Sequence, residues 1–236
     1  MVKAVFFDFW RTMFIPNISL NEYFEVRVRK LHETLSDFIP NVSLAVVRNS
    51  FWSIRRLCDS VRELKVEVPL SFEIKLMLYH LEYYSFDDNL IKSLISSYMY
   101  PFVHCTRPRD ELKSVLDIIH ELNLRVGLIS NVMSGRHIIE ALQLWGLDDY
   151  FDAMIFSDEI GFRKPRPEIF RYALSMLDVD ANDAVMIGDD FRADIEGALN
   201  VNMKAIYLNV DDLKVNFEYV AKNLNDALGW IVKWLH

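Results

Sequence analysis

Asp8 and Thr12, four residues apart in the stretch FFDFWRTMF, are the first pair in this sequence with the types and spacing to do chemistry. Asp8 closes an apolar run, which places its carboxylate at the end of a strand, where it can serve as a nucleophile. Between the two stand Trp10 and Arg11. Indole is a neutral N–H donor that does not titrate in a useful range, so Trp10 supplies neither acid nor base. Further polar groups follow later apolar runs: Ser130 and Asn131, Lys164 in GFRKPRPEIF, and Asp189, Asp190 and Asp194 in IGDDFRAD. Each alone reads as a helix cap or a loop charge. Four sets in one topological position are harder to account for that way.

Five runs rich in β-branched and aromatic residues position these groups: KAVFFDF at 3–9, RVGLIS at 125–130, AMIFS at 153–157, AVMIGD at 184–189 and KAIYLN at 204–209. They are almost continuously apolar, as strands are when helices cover both faces of a parallel sheet. From residue 108 onward they alternate with ELKSVLDIIHEL, GRHIIEALQLWG, PEIFRYALSML and ADIEGALN, all of helical periodicity. The pattern predicts an α/β fold with a doubly wound, five-stranded parallel sheet, joined by right-handed crossovers. In such sheets ligands bind beyond the carboxyl ends of the strands, where the polar groups above fall.

More than a hundred residues separate the first run from the second, and about 19 to 104 show only helical periodicity. That is too long for a loop and predicts an inserted helical unit, with Pro101 and Pro108 marking the return to the core.

Composition narrows the function. The 236 residues are 52% hydrophobic and 25% charged, enough for one or two domains with real cores. A net charge of -8 without a basic run argues against nucleic acid as a partner. RVRK at 27–30 follows the acidic NEYFE and reads as the solvated face of a helix. The apolar runs are far short of a membrane span, and Asp8 and Arg11 interrupt any signal-peptide core, so the expected location is cytoplasmic. Cys58 and Cys105 form no CxxC and read as buried fillers, and the six histidines show no metal-ligand spacing.

In order, DFWRT, ISN, KPRP and GDDFRAD resemble the four motifs of the haloacid dehalogenase superfamily, whose members are mostly magnesium-dependent phosphohydrolases. The helical insertion is similar to the superfamily's C1 cap. The resemblance implies a Rossmann-like catalytic core over 1–15 and 106–236 and a helical cap over 16–105. It also implies a catalytic set of Asp8, Thr12, Ser130, Asn131 and Lys164, with Mg²⁺ held by Asp8, Asp189, Asp194 and the main-chain carbonyl of Trp10. A small-molecule substrate follows, with substrate identity and oligomeric state left open.

The chemistry of the residues agrees. A carboxylate nucleophile splits phosphoester hydrolysis into an aspartyl-phosphate step and a hydrolytic step, but it must approach an anion. Three carboxylates supply the hard oxygen ligands that Mg²⁺ prefers, Lys164 adds a second positive charge, and the Ser130 hydroxyl can donate to a phosphoryl oxygen.

Trp10 stands where phosphatases of the superfamily carry a second aspartate as general acid and base, and Arg11 where they usually carry glycine. General acid–base help is worth ~10² to 10⁴ in rate, so its loss predicts a slow phosphatase. A metal-independent dehalogenase, whose halide leaving group needs no proton, is the second reading. Trp10 and the Ser130–Asn131 pair favour it; the retained IGDDFRAD, Phe170 in place of a tyrosine, and the lack of an arginine between Lys30 and Arg48 oppose it. A third reading is a phosphate- or partner-binding protein that keeps the fold without turnover. Among the insertion's charges, Arg55 and Arg56 are expected to face solvent.

Overall fold

The computed structural model describes residues 1–235. Its main sheet contains β1 (Ala4–Phe7), β4 (Arg125–Ser130), β5 (Ala153–Phe156), β6 (Ala184–Gly188), β7 (Lys204–Leu208) and β8 (Val220–Ala221), all parallel, in the order β5-β4-β1-β6-β7-β8. The five expected strands are present, and a sixth, β8, joins the β7 edge. With only two residues, β8 has no periodicity to read. Alternate residues of the strands enter opposite cores. Val5, Phe7, Val126, Leu128, Val185 and Ile187 point one way, and Ala4, Phe6, Ile129, Ala184 and Met186 the other. Burial on both faces is why these strands read as continuous apolar runs.

Helices α5 (Leu112–Glu121), α6 (Gly135–Leu144) and α10 (Leu224–Leu235) bury their apolar stripes on the first face. Helix α8 (Pro167–Met176) and the short α9 (Gly197–Leu199) cover the second; a single turn, α7 (Ser157–Ile160), follows β5. Helix α10 is not among the segments expected from periodicity. Its signals are the Asn223 side chain, which accepts a hydrogen bond from Asp226 N at 2.9 Å, and the buried stripe Leu224, Ala227, Leu228 and Ile231.

The chain lays β4 and β5 on one side of β1 and returns with β6 and β7 on the other, so β1 marks the switch point of the sheet. Phe7 pairs with Leu128 and with Ile187, which brings the residues after three strands to one edge. Four helices are inserted there: α1 (Leu20–Ser36), α2 (Leu44–Arg62), α3 (Leu70–His80) and α4 (Asp88–His104). Ser19, Ser43 and Asp87 cap α1, α2 and α4 through side-chain acceptors. Pro101 does not end α4, as expected of a punctuating proline. It lies in the last turn, where helix continuity is kept by the Cys105 N to Pro101 O hydrogen bond of 2.9 Å. Cys58 is buried, whereas Cys105 is only half-buried.

The insertion joins the core through an antiparallel ribbon of β2 (Phe14–Pro16) and β3 (Thr106–Pro108). It also touches the core at a remote third place, where Val66 bridges Phe162 and Glu67 N donates to Gly161 O at 3.0 Å. Buried Glu67 accepts from Arg62 Nε at 3.0 Å, from Ser157 Oγ, and from Arg163 Nη1. Removing one partner of a buried ion pair costs ~3 to 5 kcal/mol, because the other charges remain without it. Glu67→Ala is therefore expected to lower unfolding free energy by that amount in urea denaturation; a loss within the ~0 to 1 kcal/mol of a surface pair would show that Glu67 is not holding the contact.

Candidate active site

Asp8 leaves the end of β1 with its amide donating to Ile187 O at 2.9 Å, and its carboxylate faces Lys164. The Lys164 ammonium donates to Asp8 Oδ1 at 2.7 Å and to Ile129 O at 2.6 Å, and lies 2.7 Å from Asp194 Oδ1. That last contact is an ion pair without hydrogen-bond alignment, so Asp194 Oδ1 is buried and accepts no hydrogen bond. Donor oxygens of Asp8, Asp189 and Asp194 all lie within 4.8 Å of one another.

Local structure forces the three acids together. Asp190 is the N-cap of a π-helical turn over Phe191–Glu196, accepting from Arg192 N at 3.0 Å and Ala193 N at 2.9 Å. It is thus a structural cap, and the turn it starts points Asp194 back over Gly188. A Cβ on Gly188 would stand 2.1 Å from Asp194 Oδ2, so only glycine admits this approach. Asp189 lies beside the β1 loop, 3.4 Å from Thr12 Oγ1 and 3.6 Å from Arg11 Nε.

Arg11 adopts φ 62°, a left-handed conformation that explains a preference for glycine there. Its guanidinium turns to Asp211 Oδ1 at 2.5 Å. Arg109, which sequence reasoning missed, clamps this turn by donating to Arg11 O at 2.6 Å and Thr12 O at 3.0 Å. The Trp10 carbonyl receives no protein hydrogen bond among the described residues.

Asn131 is occupied by Lys164. Its Oδ1 accepts from Lys164 N at 2.7 Å and its Nδ2 donates to Lys164 O at 3.1 Å, which makes it a positioning residue for the lysine. Ser130 is buried at the end of β4, and its hydroxyl makes no hydrogen bond to a described residue.

The electrostatics match the crowding. Burial, and next the charge of Asp8, push Asp189 up to about 7, against the pull of Arg11 and Lys164. Asp194 is likewise raised by burial, with Lys164 opposing and Asp8 adding. Burial alone would lower Lys164, but the facing carboxylates of Asp194 and Asp8 outweigh it and hold the ammonium above the ordinary lysine range. With all three carboxylates ionised, the Lys164 ammonium and the Arg11 guanidinium, itself shared with Asp211, would leave negative charge unbalanced in a confined space. A hard divalent cation fits this set of three carboxylates, in which Asp194 Oδ1 is paired only with the Lys164 ammonium.

A cavity of about 330 Å³ lies beside this cluster, lined by Trp10 and Asn131 from the core and by residues of α1, α2 and α4. Trp10 packs at 5.9 Å from Phe102, with ring planes 20° apart, and at 5.3 Å from Tyr23, joining core and insertion as an aromatic anchor. Arg27 and Arg55 also line the cavity, contrary to their expected solvent-facing positions; Arg56 is exposed as expected. Arg27 falls on the buried stripe Tyr23, Arg27, Leu31 and Leu35, which its mixed-charge neighbours disguise.

Residues 53–208 match the family described as haloacid dehalogenase-like hydrolase. The chain belongs to this family. Among curated relatives of this haloacid dehalogenase-like hydrolase, a glyceraldehyde 3-phosphate phosphatase of Pyrococcus abyssi is 40% identical over 95 residues, 40% of each chain. The chain spans about half or less of the length of the curated relatives it matches. Of solved structures, a 2-haloacid dehalogenase from Pseudomonas syringae has a TM-score of 0.75 at 25% identity, covering 99% of this chain and 100% of that one. A HAD phosphatase from Thermococcus onnurineus shares the fold, with a TM-score of 0.69 at 24% identity over 99% and 98% of the two chains. No helix among the described residues is long and apolar enough to cross a membrane.

Gly188→Ala is expected to displace Asp194 and abolish stabilisation by millimolar Mg²⁺. In the unaltered protein a specific ion at a hundred times its Kd adds ~2.7 kcal/mol. Thermal denaturation with and without Mg²⁺ checks this, and a variant with the unaltered protein's Mg²⁺ shift would show that the carboxylate cluster is not the ion's site.

Proposed function

We propose that this hydrolase is a Mg²⁺-dependent phosphomonoesterase acting on a small phosphorylated metabolite through an aspartyl-phosphate on Asp8. The observation that carries the reading is the convergence of Asp8, Asp189 and Asp194 within 4.8 Å around the Lys164 ammonium. Residues 16–105 serve as the cap in this reading, with 1–15 and 106–236 as the catalytic core.

Asp8 Oδ1 is tied to Lys164, which orients the carboxylate and leaves the other oxygen to attack phosphorus. The new bond is Oδ–P, and the ester P–O bond breaks with its electron pair leaving on the alcohol oxygen. Water then attacks the phosphoaspartate, releasing phosphate and restoring Asp8. Asp8, Asp189, Asp194 and the Trp10 carbonyl would hold Mg²⁺, which would offset the repulsion between nucleophile and phosphate. Lys164 stabilises the developing charge, the Ser130 hydroxyl donates to a phosphoryl oxygen, and Thr12 holds Asp189 in place.

No acid stands over the leaving oxygen from position 10. The carboxyl lining the cavity, Asp59, is ion-paired to Arg55 at 3.1 Å and Arg62 at 2.8 Å. Esters with good leaving groups are therefore the favoured substrates. The likeness to a 2-haloacid dehalogenase, together with Trp10, supports a second reading in which Asp8 displaces halide from a 2-haloacid.

Asp8→Asn is expected to fold normally and release no phosphate from an aryl phosphate above background. Phosphate release that depends on Mg²⁺, without chloride release from 2-chloropropionate, decides for the phosphatase; the reverse result decides for the dehalogenase.

Trp10→Asp is expected to raise turnover of alkyl phosphates, up to ~10², more than that of aryl phosphates, because only the former need a protonated leaving group. Losing the indole can cost ~3 to 5 kcal/mol, so the comparison is made on samples of verified melting temperature. A folded variant without the alkyl gain would show that the indole does not replace an acid.

A further inference from the structure

The cavity beside the cluster is positively charged in a chain of net charge -8. Four arginines line it: Arg27, Arg55, Arg62 and Arg163. Three carboxylates answer them. Glu67 and Glu73 are both buried against Arg62, Glu67 also takes Arg163, and Asp59 is shared by Arg55 and Arg62. Arg27 has no carboxylate partner among the described residues, although it is only 3% exposed. Its Nε donates to Tyr98 O at 2.7 Å and its Nη2 to Tyr23 OH at 3.0 Å, which leaves Nη1 without a protein acceptor.

A buried guanidinium without a counter-ion is costly, and aromatic faces meet only part of that cost. The Arg27 guanidinium carbon lies 4.5 Å from the Tyr98 ring, 5.0 Å from Tyr23 and 5.5 Å from Phe24. Arg55 approaches the same group from α2, with its guanidinium 5.9 Å from the Phe24 ring and its Nη1 donating to Tyr98 OH at 2.6 Å. Two cations thus converge on one aromatic platform: Asp59 pairs with Arg55, the buried Glu73 accepts from Tyr98 OH at 2.6 Å and pairs with Arg62, and neither acid pairs with Arg27. Planar guanidinium forks suit the oxygens of a carboxylate or a phosphate. At about 330 Å³ the cavity is of small-ligand size.

We propose that Arg27 and Arg55 form a subsite for a second anionic group of the substrate, so that the enzyme prefers phosphomonoesters bearing a carboxylate or a further phosphate away from the scissile ester. The subsite rests on the phosphatase reading for its orientation, with the scissile phosphate at Asp8 and the second anion under the insertion. Arg27 acting only as a cation–π lock between helices would hold α1 to α4 without telling an anionic ligand from a neutral one.

Calorimetric titration of the Asp8→Asn protein with Mg²⁺ tests this, using 3-phosphoglycerate against glycerol 3-phosphate and glucose 1,6-bisphosphate against glucose 6-phosphate. The member carrying the second anionic group is expected, in at least one pair, to bind about tenfold tighter or more, the worth of one charge-assisted hydrogen bond. Arg27→Gln should erase the preference, and Arg27→Lys should keep part of it. Equal affinities within both pairs overturn the proposal, and they do so even if Arg27→Gln fails to fold. Mg²⁺-dependent phosphate release from an aryl phosphate by the unaltered enzyme is scored separately. Release without the preference removes the subsite alone, and the preference without release removes the phosphatase reading while the anion subsite stands.

Discussion

Like charges forced together organise this molecule. Asp8, Asp189 and Asp194 sit within 4.8 Å in a space that burial has largely emptied of water, and one lysine faces them. In a dispersed arrangement the acids would separate. Here each is fixed by the backbone that carries it: Asp8 by the end of β1, Asp189 by the end of β6, and Asp194 by a π-helical turn started at Asp190 and laid over a bare Gly188. The supporting contacts follow from the same need. Asn131 fixes the main chain of Lys164, and Arg109 fixes the turn that presents Arg11 at φ 62°.

Position 10 then separates two tasks that one loop performs. Its main-chain carbonyl remains free of protein donors among the described residues. The side chain has gone to packing, where Trp10 meets Tyr23 and Phe102 of the insertion. The loop thus presents a carbonyl that no protein donor occupies and, in its indole, a side chain without a titratable group.

The sheet and the residues at its edge were legible because both depend on local pattern: apolar runs buried on two faces, and polar residues following them. Apart from α10, whose twelve residues carry a readable stripe, what escaped was long-range or too short to carry a period. β8 has two residues, and the ribbon of β2 and β3 pairs segments ninety residues apart in sequence. Arg27 and Arg62 escaped for another reason. Both occupy the buried stripe of an amphipathic helix, Tyr23-Arg27-Leu31-Leu35 in α1 and Ile54-Cys58-Arg62 in α2. An arginine on such a stripe signals a partner or a ligand inside, but RVRK, among its charged neighbours, reads as a solvated face, and Arg62 stands in no motif. Glu67 had no sequence signal, since its partners Ser157 and Arg163 lie ninety or more residues away.

The third attachment of the insertion bears on how a ligand gets in. A body held only by two adjacent strands can turn about the line joining them, like a door on its frame. The bridge of Val66 to Phe162, with Glu67 seated on Ser157 and Arg163, is a separate contact that opposes such a turn. Arg163 immediately precedes Lys164 in the chain, so any swing of the insertion would pull on the segment that carries the ammonium.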